Sequence, residues 1–259
     1  MADFDTLLAE GASVPVEGWD FSWFAGRATE QRPPWGYAQL LAHRYRTTGS
    51  ALDVQTGGGE VVRWALDRAG TAPGLLAATE SWAPNAALAR RALAPYRGTV
   101  AHIADDAPLP FGDDTFDLVS SRHPVVTNWA QVARVLRPGG TYLAQHVGVG
   151  TAHELTEAML GPTPVGQGRH PAAATAAAQA AGLRVTDLRE ATLRLEFFDV
   201  AAVAVFLRKV IWIVPGFTVE AYREPLRALH ERIRADGPFV AHTTRYLIEC
   251  SKPHRNGSR

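Results

Sequence analysis

A single cysteine, Cys250, stands in 259 residues, so no internal disulfide can form and no cysteine-cluster zinc site can be built. A reducing cytoplasm is the expected location. Net charge is missing as well: 26 Lys and Arg balance 26 Asp and Glu, for a sequence pI near 7.1. A field that sums to zero neither gathers nor repels a phosphate backbone, which argues against nucleic acid as the partner. No stretch reaches the roughly 18 to 20 apolar residues of a membrane helix, and the N-terminus lacks the basic-then-apolar order of a secretion signal. The expectation is a chain without a membrane span and without a cleaved leader. The nine histidines show no metal-ligand spacing such as H-E-x-x-H, so no metal is expected.

What is present is an alternation of buried-strand and helical patterns, the mark of βαβ units. Short apolar runs at residues 50–54, 74–79, 100–103, 116–120 and 141–147 read as strands. Helical spacing at residues 60–68, 84–93 and 129–136 falls between them, the last stopped by "RPGG". Farther on, "PAAATAAAQAAG" reads as a helix closed by Gly182, and "VTDLREATLRLEFF" alternates like a strand. "DVAAVAVFLRKVIWIV" is apolar but broken by Arg208 and Lys209, which makes it core or pocket lining. "TVEAYREPLRALHERIRADG" reads as an amphipathic helix with Thr218 as N-cap and a kink at Pro225, and "RYLIECSKP" as a closing strand. Length favours one domain over residues 1–259: a strap or lid at 1–39, a cofactor-binding core at 40–150, and acceptor-side insertions with closing strands at 151–259.

The most telling segment is "ALDVQTGGGEVVRWALDRAG", an apolar run ending on Asp53, then three glycines, then a helix. A glycine turn between a first strand and its helix lets a ligand approach bare backbone at the crevice outside the strand ends. A triple glycine also makes a plain tight turn, so the weight rests on acids farther along the chain. Glu80 closes the second strand about twenty residues on, where a carboxylate can accept both hydroxyls of a ribose. Asp105 and Asp106 come just past the third strand, where an acid can accept from an adenine amino group. Acids after successive strands on one sheet edge describe a nucleoside pocket.

"LDVQTGGGE", the acid in "AATESW", "DDAPLPFGDDTFDLVSSRHP" and "VARVLRPGGTYLAQHVG" resemble, in that order, the motifs of class I S-adenosylmethionine-dependent methyltransferases, in the methyltransferase-11 or ubiquinone-biosynthesis-like branch. The resemblance spans about residues 40–147, and the flanks resemble a less characterised bacterial subgroup. It implies a doubly wound, Rossmann-like α/β fold: a seven-stranded, mostly parallel sheet with an antiparallel last strand, an N-terminal strap and a C-terminal helical insertion. It also implies S-adenosylmethionine as cofactor. Carried over by position, Asp53, Gln55, Thr56, Gly57 and Gly59 line the methionine portion, and Glu80 holds the ribose with Ser81 beside it. Trp82 stacks on the adenine or packs on the next helix; Asp105, with Asp106 as runner-up, reads the adenine amino group; Ser121 and Arg122 border the site. The chain departs from the pattern at one point, having Gln55 where the first glycine of the motif falls.

Methyl transfer from a sulfonium is an in-line displacement on an activated donor, so holding the acceptor in place supplies much of the acceleration and a base is optional. His123, just past the fourth strand, is the leading candidate for a catalytic base, with His146 second; Arg122 is a candidate for a carboxylate of acceptor or cofactor. Trp19, Phe21, Trp23, Trp35 and Tyr37 make either a lid or a strap packed on the core. Trp23, His146 and Trp212, with Ile213 and Phe217, are candidates for an acceptor pocket. The leading expectation is methylation of a small molecule, with a homodimer allowed. Its competitors are a cofactor-binding protein without catalysis, an RNA methyltransferase and, least supported, a nicotinamide dehydrogenase.

Overall fold

The computed structural model describes residues 3–16, 21–166 and 168–254. The chain divides into two compact units, each drawn from separate stretches: Met1–Arg32, Gly148–Gln167 and Thr192–Thr244 in the first, and Pro33–Val147, Gly168–Ala191 and Arg245–Arg259 in the second.

The second unit carries the βαβ pattern. Strands β2 (Ser50–Asp53), β3 (Leu75–Glu80), β4 (Thr99–His102), β5 (Phe116–Arg122), β6 (Leu136–Val147), β7 (Arg184–Phe197) and β8 (Phe239–Ser251) are hydrogen-bonded in the order β7-β8-β6-β5-β2-β3-β4. β2 pairs in parallel with β3 and β5, β5 in parallel with β6, and β8 runs antiparallel to β6, from Thr141 opposite Ser251 to Val147 opposite Arg245. A further short strand, β1 (Ala28–Glu30), pairs antiparallel with the end of β7, adding an eighth to the seven expected.

Strand periodicity sends alternate residues to opposite faces. Ala51 and Leu118 thus join one core with α2 (Tyr37–Tyr45) and α3 (Glu60–Ala69), whereas Leu52 and Val119 join another with α5 (Trp129–Val135) and α7 (Pro171–Ala180). Helices on both faces make the sheet doubly wound. Because β2 has β3 on one side and β5 on the other, the chain reverses direction there, and the crevice at its C-terminal end is the switch point where such sheets bind ligands. Cys250, in β8 opposite Tyr142, is fully buried, and burial pushes its thiol up to about 12.

In the first unit, α8 (Val200–Lys209) is the apolar run between residues 199 and 214. Asp199 caps it, its Oδ1 accepting from the amide of Ala202 at 2.8 Å. Seven of its ten residues are buried, so the helix is core, whereas Ile211 and Trp212 beyond it are exposed. α1 (Phe4–Ser13) crosses it at Gly11, where an added Cβ would lie 3.0 Å from the carbonyl oxygen of Ala201 and from Cβ of Ala204.

Two local expectations are corrected. The amphipathic segment begins its helix α9 (Arg223–Asp236) at Arg223, not after Thr218, whose hydroxyl accepts from the amide of Ala221 in a preceding turn. Pro225 falls in the first turn, where its missing N–H costs nothing, and so need not kink the helix. "RPGG" lies within β6, beside a register shift between Phe116 and Leu118, with Gly139 at φ +84°.

Candidate active site

Three strand ends in the second unit supply the acids. Asp53, closing β2, is buried, and its Oδ1 accepts from Oγ of Ser120 at 2.5 Å. Burial, with the nearby Glu80 charge, pushes its carboxyl up to about 6. Glu80, closing β3, accepts from the amide of Gly57 with one carboxylate oxygen and from that of Trp82 with the other, both at 2.9 Å. Each oxygen keeps a second lone pair, and burial raises the pKa of the group. Glu80 therefore also staples the glycine turn to β3. The turn needs its glycines: Gly57 has φ +65° and Gly59 +81°, and an added Cβ on Gly59 would meet Cα of Ala89 at 3.2 Å. Thr56 sits in the same turn, its amide donating to the carbonyl of Thr79 at 2.9 Å.

Ser81 is held through its carbonyl by Nε2 of His102 at 2.9 Å. Trp82 precedes α4 (Ala83–Leu93) and stays 43% exposed, leaving it able to serve as a stacking face. Asp105 lines a narrow cleft of about 20 Å³ with Val54, Ser121, Val126 and Tyr142. Asp106 is not among the residues lining this cleft and is exposed, so the geometry favours Asp105 of the pair. Arg122 is exposed at the end of β5.

Gln55 adopts φ +57°, the left-handed region that only glycine enters freely. Its side chain clasps the loop after β5: Nε2 donates to the carbonyl of Val126 and Oε1 accepts from the amide of Val125, both at 2.6 Å. Val126 lines the cleft and Val125 lines a second, larger cavity, so the segment 124–127 is a wall with a hollow on either side. At about 20 Å³ the cleft has the size of a water and not of a nucleoside. The donor set nonetheless fits a nucleoside cofactor: two carboxylates after adjacent strands, a stapled glycine turn and an exposed indole.

His123 has φ +59°, and its Nε2 lies 2.8 Å from Nε2 of Gln145. The indole N–H of Trp35 can only donate, and it meets Oε1 of Gln145 at 2.7 Å. The Gln145 amide nitrogen therefore faces the imidazole, Nε2 accepts, and the ring proton sits on Nδ1. Burial, followed by the charges of Arg122 and Arg245, holds the His123 pKa well below the usual value. As tied, this ring has no nitrogen to receive a proton, which runs against the base role expected from its position.

His146 lines the larger cavity, of about 240 Å³, with Trp129, Arg169, His170 and Tyr246. Its ring stacks on Tyr246 at 4.7 Å and, more distantly, on Trp129 at 6.4 Å. Trp129, Arg169, His170 and Tyr246 carry no signal of a site in the sequence. They come from separate stretches, and the one available sign is "HP" at a helix start: Nδ1 of His170 caps α7 by accepting from the amide of Ala172.

The remaining candidates fall elsewhere. Trp35 and Tyr37 are buried in a core of the second unit. Trp23 packs on the core of the first unit beneath the guanidinium of Arg27, 4.5 Å from its ring. Trp212 follows α8 and is 37% exposed, and Phe21 is 40% exposed. Trp19 lies outside the described residues. Among the described residues no His, Cys, Asp or Glu cluster could hold a metal ion, and no helix is long and apolar enough to cross a membrane.

Residues 52–144 match the family model described as a methyltransferase domain. No curated protein matches the sequence. Of the solved structures, the YcgJ protein of Bacillus subtilis is similar with a TM-score of 0.58 at 15% identity, covering 84% of this chain and 98% of that one. Phosphoethanolamine N-methyltransferase 2 of Haemonchus contortus, in complex with phosphomonomethylethanolamine and S-adenosylhomocysteine, gives 0.50 at 18% identity over 85% and 53%. The [4+2]-cyclase SpnF gives 0.51 at 16% identity over 84% and 80%. At these identities the likeness is one of fold. Domain match and fold agree: residues 52–144 carry a methyltransferase domain, on a Rossmann-like fold shared with S-adenosylmethionine-dependent methyltransferases.

Proposed function

We propose that the enzyme transfers the methyl group of S-adenosylmethionine to a small molecule. The observation that carries this reading is the pairing of Glu80 and Asp105 after adjacent strands with a cavity of small-ligand size across the 124–127 wall. Glu80 would hold the ribose hydroxyls, Asp105 the adenine amino group and Trp82 the adenine face, while Asp53, Gln55, Thr56, Gly57 and Gly59 border the methionine portion and Ser121 and Arg122 flank it. When bound, the cofactor supplies a methyl group already activated by the adjacent sulfonium. The protein then has to exclude water and hold the acceptor about 3 to 3.5 Å from that carbon. With His123 tied to Gln145 and His146 held neutral by burial, its pKa pushed down to about 4, positioning rather than base catalysis is the main device.

Calorimetric titration with S-adenosylhomocysteine tests the cofactor half. Binding to the wild type and a marked loss in both Glu80→Ala and Asp105→Ala are expected. Wild-type affinity in both variants would sink the assignment.

A further inference from the structure

The larger cavity has a definite chemistry. Its lining includes no carboxylate: the side chains able to carry charge are Arg169, His146 and His170, with the phenol of Tyr246 beside them. One end of the lining is the start of α7, whose residues Ala173 and Ala174 face it. A helix start and a guanidinium both favour a negative ligand. The wall is aromatic, formed by Trp129, His146 and Tyr246 stacked nearly parallel, with interplanar angles of 11° and 8°.

Inside this apolar wall is one unmet polar demand. His146 is 7% exposed, and its Nε2 is buried with no hydrogen-bond partner among the described residues. An unpaired buried nitrogen costs free energy unless something in the cavity meets it. Tyr246, stacked on the ring, and Arg169 and His170 are the other titratable groups lining the cavity; no acid is among them. Burial disfavours the imidazolium, so the neutral ring offers the ligand a hydrogen bond, not a charge. At about 240 Å³ the cavity falls just below the usual range for ligand sites, which limits it to a small, compact molecule.

We propose that this cavity recognises the methyl acceptor as a small planar acid, with Arg169 selecting its negative group, the Trp129 and Tyr246 wall its ring, and His146 Nε2 its hydroxyl or amino substituent. The inference rests on the methyltransferase reading for the word acceptor, but the recognition itself needs no cofactor. It makes His146 a positioning residue that meets the ligand's polar substituent and Arg169 a specificity residue.

The test is calorimetry on the full chain with three planar acids, benzoate, 4-hydroxybenzoate and indole-3-carboxylate, against the neutral 4-hydroxybenzamide and the cationic tyramine. At least one acid is expected to bind, 4-hydroxybenzoate at least tenfold tighter than its amide, and tyramine not at all. Arg169→Gln should erase the preference for acid over amide while leaving amide binding in place. His146→Phe should weaken 4-hydroxybenzoate about tenfold and leave benzoate, which lacks the hydroxyl, nearly unchanged; a merely structural role would weaken both alike. No binding of any acid, an amide as tight as its acid, or equal losses for benzoate and 4-hydroxybenzoate in His146→Phe would overturn the proposal. Titration of the same proteins with S-adenosylhomocysteine separates the two readings: acid binding without cofactor binding removes the methyltransfer assignment only, and the converse removes the acid pocket only.

Discussion

Glu80 stands out in the sequence through one short spacing, an acid closing the strand after a glycine turn, and the proposed ribose contact rests on that spacing. Its second role, accepting from the amides of Gly57 and Trp82, needs coordinates. Glu80→Ala should weaken S-adenosylhomocysteine by about 1–3 kcal/mol through lost charge-assisted hydrogen bonds. Calorimetry would read that loss, and exchange of the Gly57 amide should quicken as the staple goes. The surroundings of His123 are not legible in this way: the bond that occupies its Nε2 runs through Gln145 to Trp35, 110 residues from that glutamine, which no local pattern reports. His146 makes a prediction about pH. Its folded pKa, about 4, lies below the ordinary 6.5, so between those values the unfolded chain takes a proton that the folded one refuses. Stability from this group is complete above pH 6.5 and is lost as pH falls toward 4. Asp53 acts oppositely: with its carboxyl up near 6, stability is greatest below about 4 and is lost as pH rises through 6. The two largely cancel in the wild type. Removing one unmasks the other, so His146→Phe should lose about 2–3 kcal/mol less than wild type between pH 7 and 4.5 in urea unfolding. An equal loss in both proteins would mean that the buried ring protonates as readily as a free one.

At the level of elements, strands and helices of the βαβ core appear close to where periodicity puts them, because fully buried parallel strands and one-faced helices have distinct periods. The ends slip where a turn competes with a helix, as at Thr218, or where a strand tolerates glycine, as in "RPGG". What the sequence marks only as an oddity, Gln55 in place of glycine, is the latch between the first glycine turn and the loop after β5. A left-handed non-glycine residue costs on the order of 1–3 kcal/mol, here offset by two amide hydrogen bonds to Val125 and Val126. Gln55→Gly removes strain and latch together. Stopped-flow binding of S-adenosylhomocysteine should then be faster with equal or better affinity. Weaker binding would assign the amide to the cofactor instead. In the first unit, Asp199→Ala should cost about 1 kcal/mol by uncapping α8, measurable as a lowered urea midpoint.

For the whole molecule, the match over residues 52–144 covers much less than a folding unit. The outer edge of β6 is paired by residues 245–251 of β8, and one of the cores is completed by Ala178, Leu183, Tyr246, Ile248 and Cys250. A fragment ending at residue 150 would leave the paired edge of β6 open, the kind of edge that templates aggregation. Such a fragment should go to inclusion bodies while the full chain remains in solution, a difference that a sedimentation assay reads directly. The sequence shows the units' parts without their grouping, because each unit is spliced from distant segments and composition does not change where one gives way to the other. The same strand that closes the sheet carries the chain's lone sulfur atom of the thiol kind. Cys250 is shielded by the core packed on its face of the sheet and bound to its proton at neutral pH, so a thiol reagent can reach it only when that core opens. The rate at which a chromogenic disulfide develops colour with the untouched protein is therefore a clock for that opening event, built in at one position and needing no label.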